Sequence, residues 1–189
     1  YNMSPEEMKT LAEKYTHPTD EYKKNLRSYN ERSDELGNTS RNISWSYLPG
    51  SLSETNNINS ILHAKEIETE FYSGKNGTEE AFKALPDRSP DVLHISTHGF
   101  YFPEAGTKHV GFKDASGFAE DNVQYLHSEN PLLRSGLMLA GGQSAFSGTE
   151  LPPGVEDGVL SAYEVSQLNC FSVKLAVLSA CQTGLGDVV

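Results

Sequence analysis

The chain has 189 residues, 37% of them hydrophobic, and carries a net charge of −11 from 15 basic and 26 acidic side chains. That length buries one sizeable core rather than two, and an acidic chain without a basic stripe is a poor surface for nucleic acid or an anionic membrane. Two cysteines make no disulfide framework, which favours a reducing, cytoplasmic compartment, and no stretch approaches the roughly eighteen apolar residues of a membrane-spanning helix.

In chain order, Ser4-Pro5-Glu6-Glu7 is a helix start: a serine cap, proline at the first helical position and glutamate three residues after the cap. Met8, Leu11, Ala12 and Tyr15 share one face of that helix, and His17-Pro18 should end it. A second helix through Tyr22, Leu26 and Tyr29 runs out in the polar stretch from Ser33 to Asn42, which reads as a linker. Residues 1–42 are therefore expected to form a helical N-terminal segment, and residues 43–189 the main domain. There the spacing predicts a strand through Ile43, Trp45 and Tyr47, a helix capped by Ser53 with Ile58, Ile61 and Leu62 on its core face, and a strand from Glu66 to Tyr72. Asn76-Gly77 turns the chain, Thr78 caps a helix carrying Ala81, Phe82 and Leu85, and Val92, Leu93 and Ile95 make the next strand. This β-α-β-α-β alternation predicts an α/β fold with a doubly wound, mostly parallel sheet flanked by helices.

The third strand delivers Ser96, Thr97 and His98 into Gly99. After it, Phe100 to Pro131 reads as one long irregular region that either walls a cleft or is a plain surface excursion. A strand over Gly136 to Leu139 ends at Ala140-Gly141-Gly142, and Ser161 to Glu164 opens a helix with Ala162, Val165 and Leu168 toward the core. The last strand, Val173 to Leu178, is apolar on both alternating sets, as expected of a strand with both faces covered, and delivers Cys181 into Thr183-Gly184-Leu185-Gly186.

In open α/β sheets ligands bind beyond the carboxyl ends of the strands. If the strands that end at His98 and Cys181 lie side by side and parallel, imidazole and thiol project at the same edge. Cysteine hydrolysis needs that pair, because the thiolate is the nucleophile and a nearby imidazole withdraws its proton and later protonates the leaving amine. The amides of Gly99 and Cys181, read as lying at strand-to-loop turns, are candidate oxyanion donors. Cys170 reads as a packing residue. His94 and His98 share a strand face, but no further ligand pattern supports a closed metal site, and the glycine pairs lack the spacing of phosphate loops.

"HISTHGFYF", "GLMLAGG", "EDGVLSAYEVSQLN" and "LAVLSACQTGLGD", in that order, together with "YLPGSLSETNNINSIL", resemble the CHAT family of caspase-like cysteine peptidases, relatives of separases and caspases. The resemblance runs from Trp45 to Val189. It implies a caspase-like fold and a cysteine endopeptidase with His98 as catalytic histidine, Cys181 as nucleophile and the Gly99 amide in the oxyanion hole. Asp157 matches an acidic position of the family motif, and either faces substrate or braces the following helix. No cofactor is called for. The expected partners are a protein or peptide substrate, a second chain or C-terminal segment that supplies further strands beyond the nucleophile, and a helical repeat regulatory region. Neither nucleic acid nor membrane is expected. The alternative from another class is a catalytically silent scaffold for protein interaction, since fold does not dictate function.

Overall fold

The computed structural model describes residues 2–15, 45–85, 90–102, 128–147 and 149–180. The first helix, α1 (Pro5–Ala12), begins where the sequence places it. Ser4 Oγ accepts from Glu7 N at 3.3 Å, and Glu7 Oε2 accepts from Ser4 N at 3.0 Å, so two amides of the first turn are satisfied locally. Met8 and Ala12 are buried. Met8 is seated on the Gly141 turn, where a Cβ on Gly141 would stand 2.5 Å from the Met8 methyl. The expected second helix and the linker to Asn42 lie outside the described residues.

Two of the expected strands do not form. Residues 45–48 have no regular structure, and the following helix, α2 (Pro49–His63), starts at Pro49 rather than at Ser53. Proline at the first helical position has its φ already set and lacks an amide that would go unsatisfied there, so it begins the helix without a side-chain cap. Ile58 and Leu62 are only half-buried and Ile61 is exposed, so the expected core face of α2 is not a buried one. Glu66 to Tyr72 is a turn and then irregular chain. Glu66 takes a positive φ of 57° as the Ile67 amide donates back to Leu62 O at 3.0 Å, closing α2 and using the start of the expected strand as its cap.

A short 3₁₀ turn (Gly74–Asn76) leads to α3 (Glu79–Lys83), capped as predicted by Thr78, whose Oγ1 accepts from Ala81 N at 3.2 Å. Next come β1 (Val92–Ser96), β2 (His98–Tyr101), β3 (Ser135–Met138), α4 (Gln143–Ser147), β4 (Val159–Ser161), α5 (Ala162–Gln167) and β5 (Leu175–Ser179). β1 and β5 pair in parallel, with Val92 opposite Leu175 and Ser96 opposite Ser179. β2, β3 and β4 form an antiparallel sheet, with His98 opposite Met138 and Leu137 opposite Leu160. The described fold is mixed helix and sheet, with one parallel pair and two antiparallel pairings where a mostly parallel sheet was expected.

The division falls at Thr97. Its amide donates to Ser179 O at 3.2 Å, extending the parallel ladder, while its hydroxyl donates to Met138 O in the antiparallel sheet. One continuous run of sequence thus serves two sheets. Phe100 to Phe102, expected to open the irregular region, are instead strand and core: Phe100, Tyr101 and Phe102 are buried with Leu137, Met138, Val159 and Leu160. Gly136 lets β3 and β4 close up, because a Cβ there would stand 2.6 Å from Leu160 O and 2.9 Å from the Phe100 ring. The parallel pair is the exposed part: Leu175, Val177 and Leu178 are 53%, 38% and 45% exposed, against the expectation that both faces of this strand are covered. No helix among the described residues is long and apolar enough to cross a membrane.

Beside the antiparallel sheet sits a buried ionic cluster. Lys83 Nζ lies 2.5 Å from Glu79, 2.8 Å from Glu164 and 3.1 Å from Glu156. Glu164 doubles as the capping-box residue of α5, accepting from Ser161 N at 2.8 Å. The buried side chain of α5 is accordingly Glu164 and not the expected Val165, which is 37% exposed. Glu80 and Glu79 accept from the amides of Glu156 and Gly158 at 3.0 and 2.9 Å, fixing the loop that enters β4.

Candidate active site

His98 is the first residue of β2, placed by the ladder to Met138 and by the step at Thr97. Its Nε2 lies 2.7 Å from the backbone oxygen of Ser46. A carbonyl only accepts, so Nε2 carries the proton and the lone pair of the neutral ring is on Nδ1. The Trp45 ring stands over the imidazole, centroids 5.2 Å apart and tilted by 53°. Trp45 N in turn donates to Gln143 Oε1 at 3.0 Å, so the first residues of α4 hold the segment that holds the histidine. The Ser46 carbonyl and the Trp45 ring thus fix the tautomer and orientation of the imidazole. Sequence reasoning missed Ser46 and Gln143. Ser46 acts through its backbone, which no residue type announces, and Gln143 acts from nearly one hundred positions away in the chain.

The strands that lead to the two catalytic candidates are neighbours and parallel, as the argument required. Ser96 and Ser179 are register partners at their carboxyl ends; His98 follows Ser96 by two positions and Cys181 follows Ser179 by two. Cys181 itself lies outside the described residues. Gly99 is buried within β2 opposite Leu137, so it sits in a strand and not at the strand-to-loop turn expected for it. Cys170, half-buried, occupies the turn before β5, where its carbonyl accepts from Val173 N at 3.0 Å.

Asp157 precedes β4. Its Oδ1 accepts from Val159 N at 2.8 Å, a local turn that braces the entry to the strand. Its neighbours Glu156 and Gly158 are held by Glu80 and Glu79, so the whole acidic loop is fixed from α3.

His94 and Ser96 share one face of β1, whereas His98 begins β2 in the other sheet, so the strand face expected to carry both histidines is broken at Thr97. His94 Nε2 is 3.1 Å from Glu54 Oε1, whereas His98 turns to Ser46, so the two rings serve different partners and form no metal pair. Glu54, on α2, also accepts from Ser96 Oγ at 3.0 Å and Ser179 Oγ at 2.8 Å. The Ser179 hydroxyl, followed by that of Ser96, holds the Glu54 carboxyl below its usual range. Among the described residues one carboxylate group has metal-binding proximity: Glu79, Glu156 and Glu164, with oxygens within 4.8 Å of one another. The Lys83 ammonium already sits among them, so the cation place is filled by a side chain.

Compared with known proteins, the chain matches the family model of the CHAT domain over residues 12–189. No curated protein and no solved structure matches it.

Proposed function

We propose that this chain, which belongs to the CHAT domain family, is a cysteine endopeptidase with a caspase-like arrangement, acting on a protein substrate in a reducing, cytoplasmic setting. The observation that carries the reading is the parallel register of β1 and β5, which sets the strand that runs into His98 two residues on beside the strand leading to Cys181. The hydrogen bond from His98 Nε2 to Ser46 O supports it, since it puts the basic lone pair on Nδ1.

In the proposed reaction His98 Nδ1 withdraws the proton of the Cys181 thiol, and the thiolate attacks the scissile carbonyl carbon. The amides of Gly99 and Cys181 hold the tetrahedral oxyanion. As it collapses, the C–N bond breaks, and His98 gives its proton to the leaving amine. Water, deprotonated by His98, then attacks the thioester, releasing the acid and restoring the thiol. The Ser46 carbonyl stabilises the imidazolium formed in each half by accepting from Nε2–H. Asp157 is read as an acidic residue at the edge of the substrate site, on a loop held rigid by Glu79 and Glu80.

Two measurements test the proposal. A peptidyl electrophile should label Cys181 and leave Cys170 unmodified, and a peptide library should be cleaved by wild type and by Cys170→Ala but not by His98→Ala or Cys181→Ala. Labelling without cleavage of any peptide or protein favours the silent interaction scaffold, and labelling of Cys170 alone refutes the assignment of the nucleophile.

A further inference from the structure

One carboxylate accepts from a hydroxyl on each strand of the parallel pair and lies beside a third group, the His94 ring. Glu54 Oε2 accepts from Ser96 Oγ of β1 at 3.0 Å and from Ser179 Oγ of β5 at 2.8 Å, and Glu54 Oε1 lies 3.1 Å from His94 Nε2. Ser96 and Ser179 are register partners, so their side chains leave the sheet on the same face. A one-residue slip of β5 against β1 would turn one hydroxyl to the opposite face, out of reach of α2. Both hydroxyls converge on one oxygen only in the observed register.

Glu54 belongs to α2, and Trp45 and Ser46, four and three residues ahead of that helix, stack on and accept from His98. One continuous stretch of chain, from Trp45 to Glu54, therefore grips the histidine ring from the segment ahead of α2 and the ends of the two strands from the helix's second turn. We propose that Glu54 is a positioning residue for the His98–Cys181 pair: it fixes the register of β1 against β5 at the step before each group and so sets their separation. The proposal rests on the cysteine peptidase reading. Its consequence is kinetic, because a displacement of about 1 Å in a reacting pair costs as much as a hundredfold in rate.

The test uses the Cys170→Ala background, in which Cys181 is the one remaining thiol. Alkylation of Cys181 by iodoacetamide and cleavage of a peptide substrate are measured for that parent, Glu54→Ala, Glu54→Gln, His98→Ala and the double variant Glu54→Ala/His98→Ala. Glu54→Ala should lower kcat roughly ten- to hundredfold with KM little changed. It should slow alkylation as His98→Ala does, with no further slowing in the double variant, because Glu54 acts through the geometry of the pair. Glu54→Gln, whose carbonyl still accepts from a serine hydroxyl, should recover part of the loss. A Glu54→Ala or Glu54→Gln protein with parental kcat and alkylation rate overturns the proposal, as does equal slowing by Glu54→Ala with and without His98. If His98→Ala alkylates as fast as the parent, the dyad itself is refuted, and the positioning role falls with it. Should Glu54→Ala fail to fold, Glu54→Gln and Ser96→Ala/Ser179→Ala decide the matter by the same two readouts.

Discussion

Replacing Lys83 by methionine tests whether the buried cluster holds the acidic loop. Lys83 is 3% exposed, and its ammonium is shared by Glu79, Glu156 and Glu164 at 2.5 to 3.1 Å. Methionine keeps the volume of the stem and removes the charge, leaving three carboxylates facing one another with no cation between them. Removing one partner of a buried ionic group costs about 3–5 kcal/mol, since the remaining charges have lost their place in water without compensation. For a domain of this size that lowers Tm by about 6–20 °C. The loss must depend on pH. Without the ammonium, burial and mutual repulsion raise the folded-state carboxyls above their unfolded values, so the folded state keeps protons that the unfolded state gives up. The variant then recovers stability as pH falls toward 4.5, where protonation relieves the repulsion. Urea or thermal unfolding of wild type and Lys83→Met at pH 5 and pH 7.5 reads both effects. A variant as stable as wild type at pH 7.5, or one whose deficit is the same at both pH values, refutes the reasoning.

Burial, opposed by Lys83 and reinforced by the neighbouring carboxylates, pushes Glu79 well above the usual carboxyl range. Its contribution to stability is therefore whole below pH 4.5 and is lost as pH rises through the raised folded value. Glu79→Gln, whose carbonyl still accepts from Gly158 N, should flatten that decline, so the Tm difference from wild type grows in the variant's favour from pH 4.5 to pH 8; a difference independent of pH contradicts the raised carboxyl. Gly136→Ala should cost about 1–3 kcal/mol by overpacking, because the new methyl meets Leu160 O at 2.6 Å, and urea unfolding would expose an unchanged midpoint as evidence against the close approach of β3 and β4.

What the sequence made legible was local. The capping boxes at Ser4 and Ser161 and the cap at Thr78 form as read, because each is a few residues satisfying their own backbone. The runs Val92–Ser96 and Leu175–Ser179 are strands, and they pair as the argument for the site required. The rest depended on distant partners. β4 spans three residues, too few for a period to show. The split at Thr97 arises because its amide and hydroxyl serve different sheets, a choice set by Ser179 and Met138. Trp45 to Leu48 alternates as a strand would, yet its amide at Trp45 goes to the Gln143 side chain and its carbonyl at Ser46 to the histidine. At the candidate site, His98 and Cys181 stand out in the sequence because imidazole and thiol are rare chemistry on apolar runs. Ser46, Gln143 and Glu54 do not, since a carbonyl, an amide and one of 26 acidic groups carry no such mark.

The division between the two sheets separates stability from geometry. Met138, Val159 and Leu160 are at most 1% exposed in the antiparallel sheet, and deleting such side chains typically costs about 2–5 kcal/mol. The parallel pair that aligns the proposed catalytic groups has little of that burial; backbone ladder bonds and the Glu54 clasp on Ser96 and Ser179 hold its carboxyl ends. Truncating Leu175 or Val177 removes side chains already exposed to water, so these changes return little transfer free energy and leave Tm near wild type. Regions held by few buried contacts open at lower free energy than the global core. Hydrogen exchange should therefore rank the β1–β5 amides below those of β2 and β3. An equal rank would mean that the parallel pair unfolds only with the core and that its register needs no separate support from Glu54.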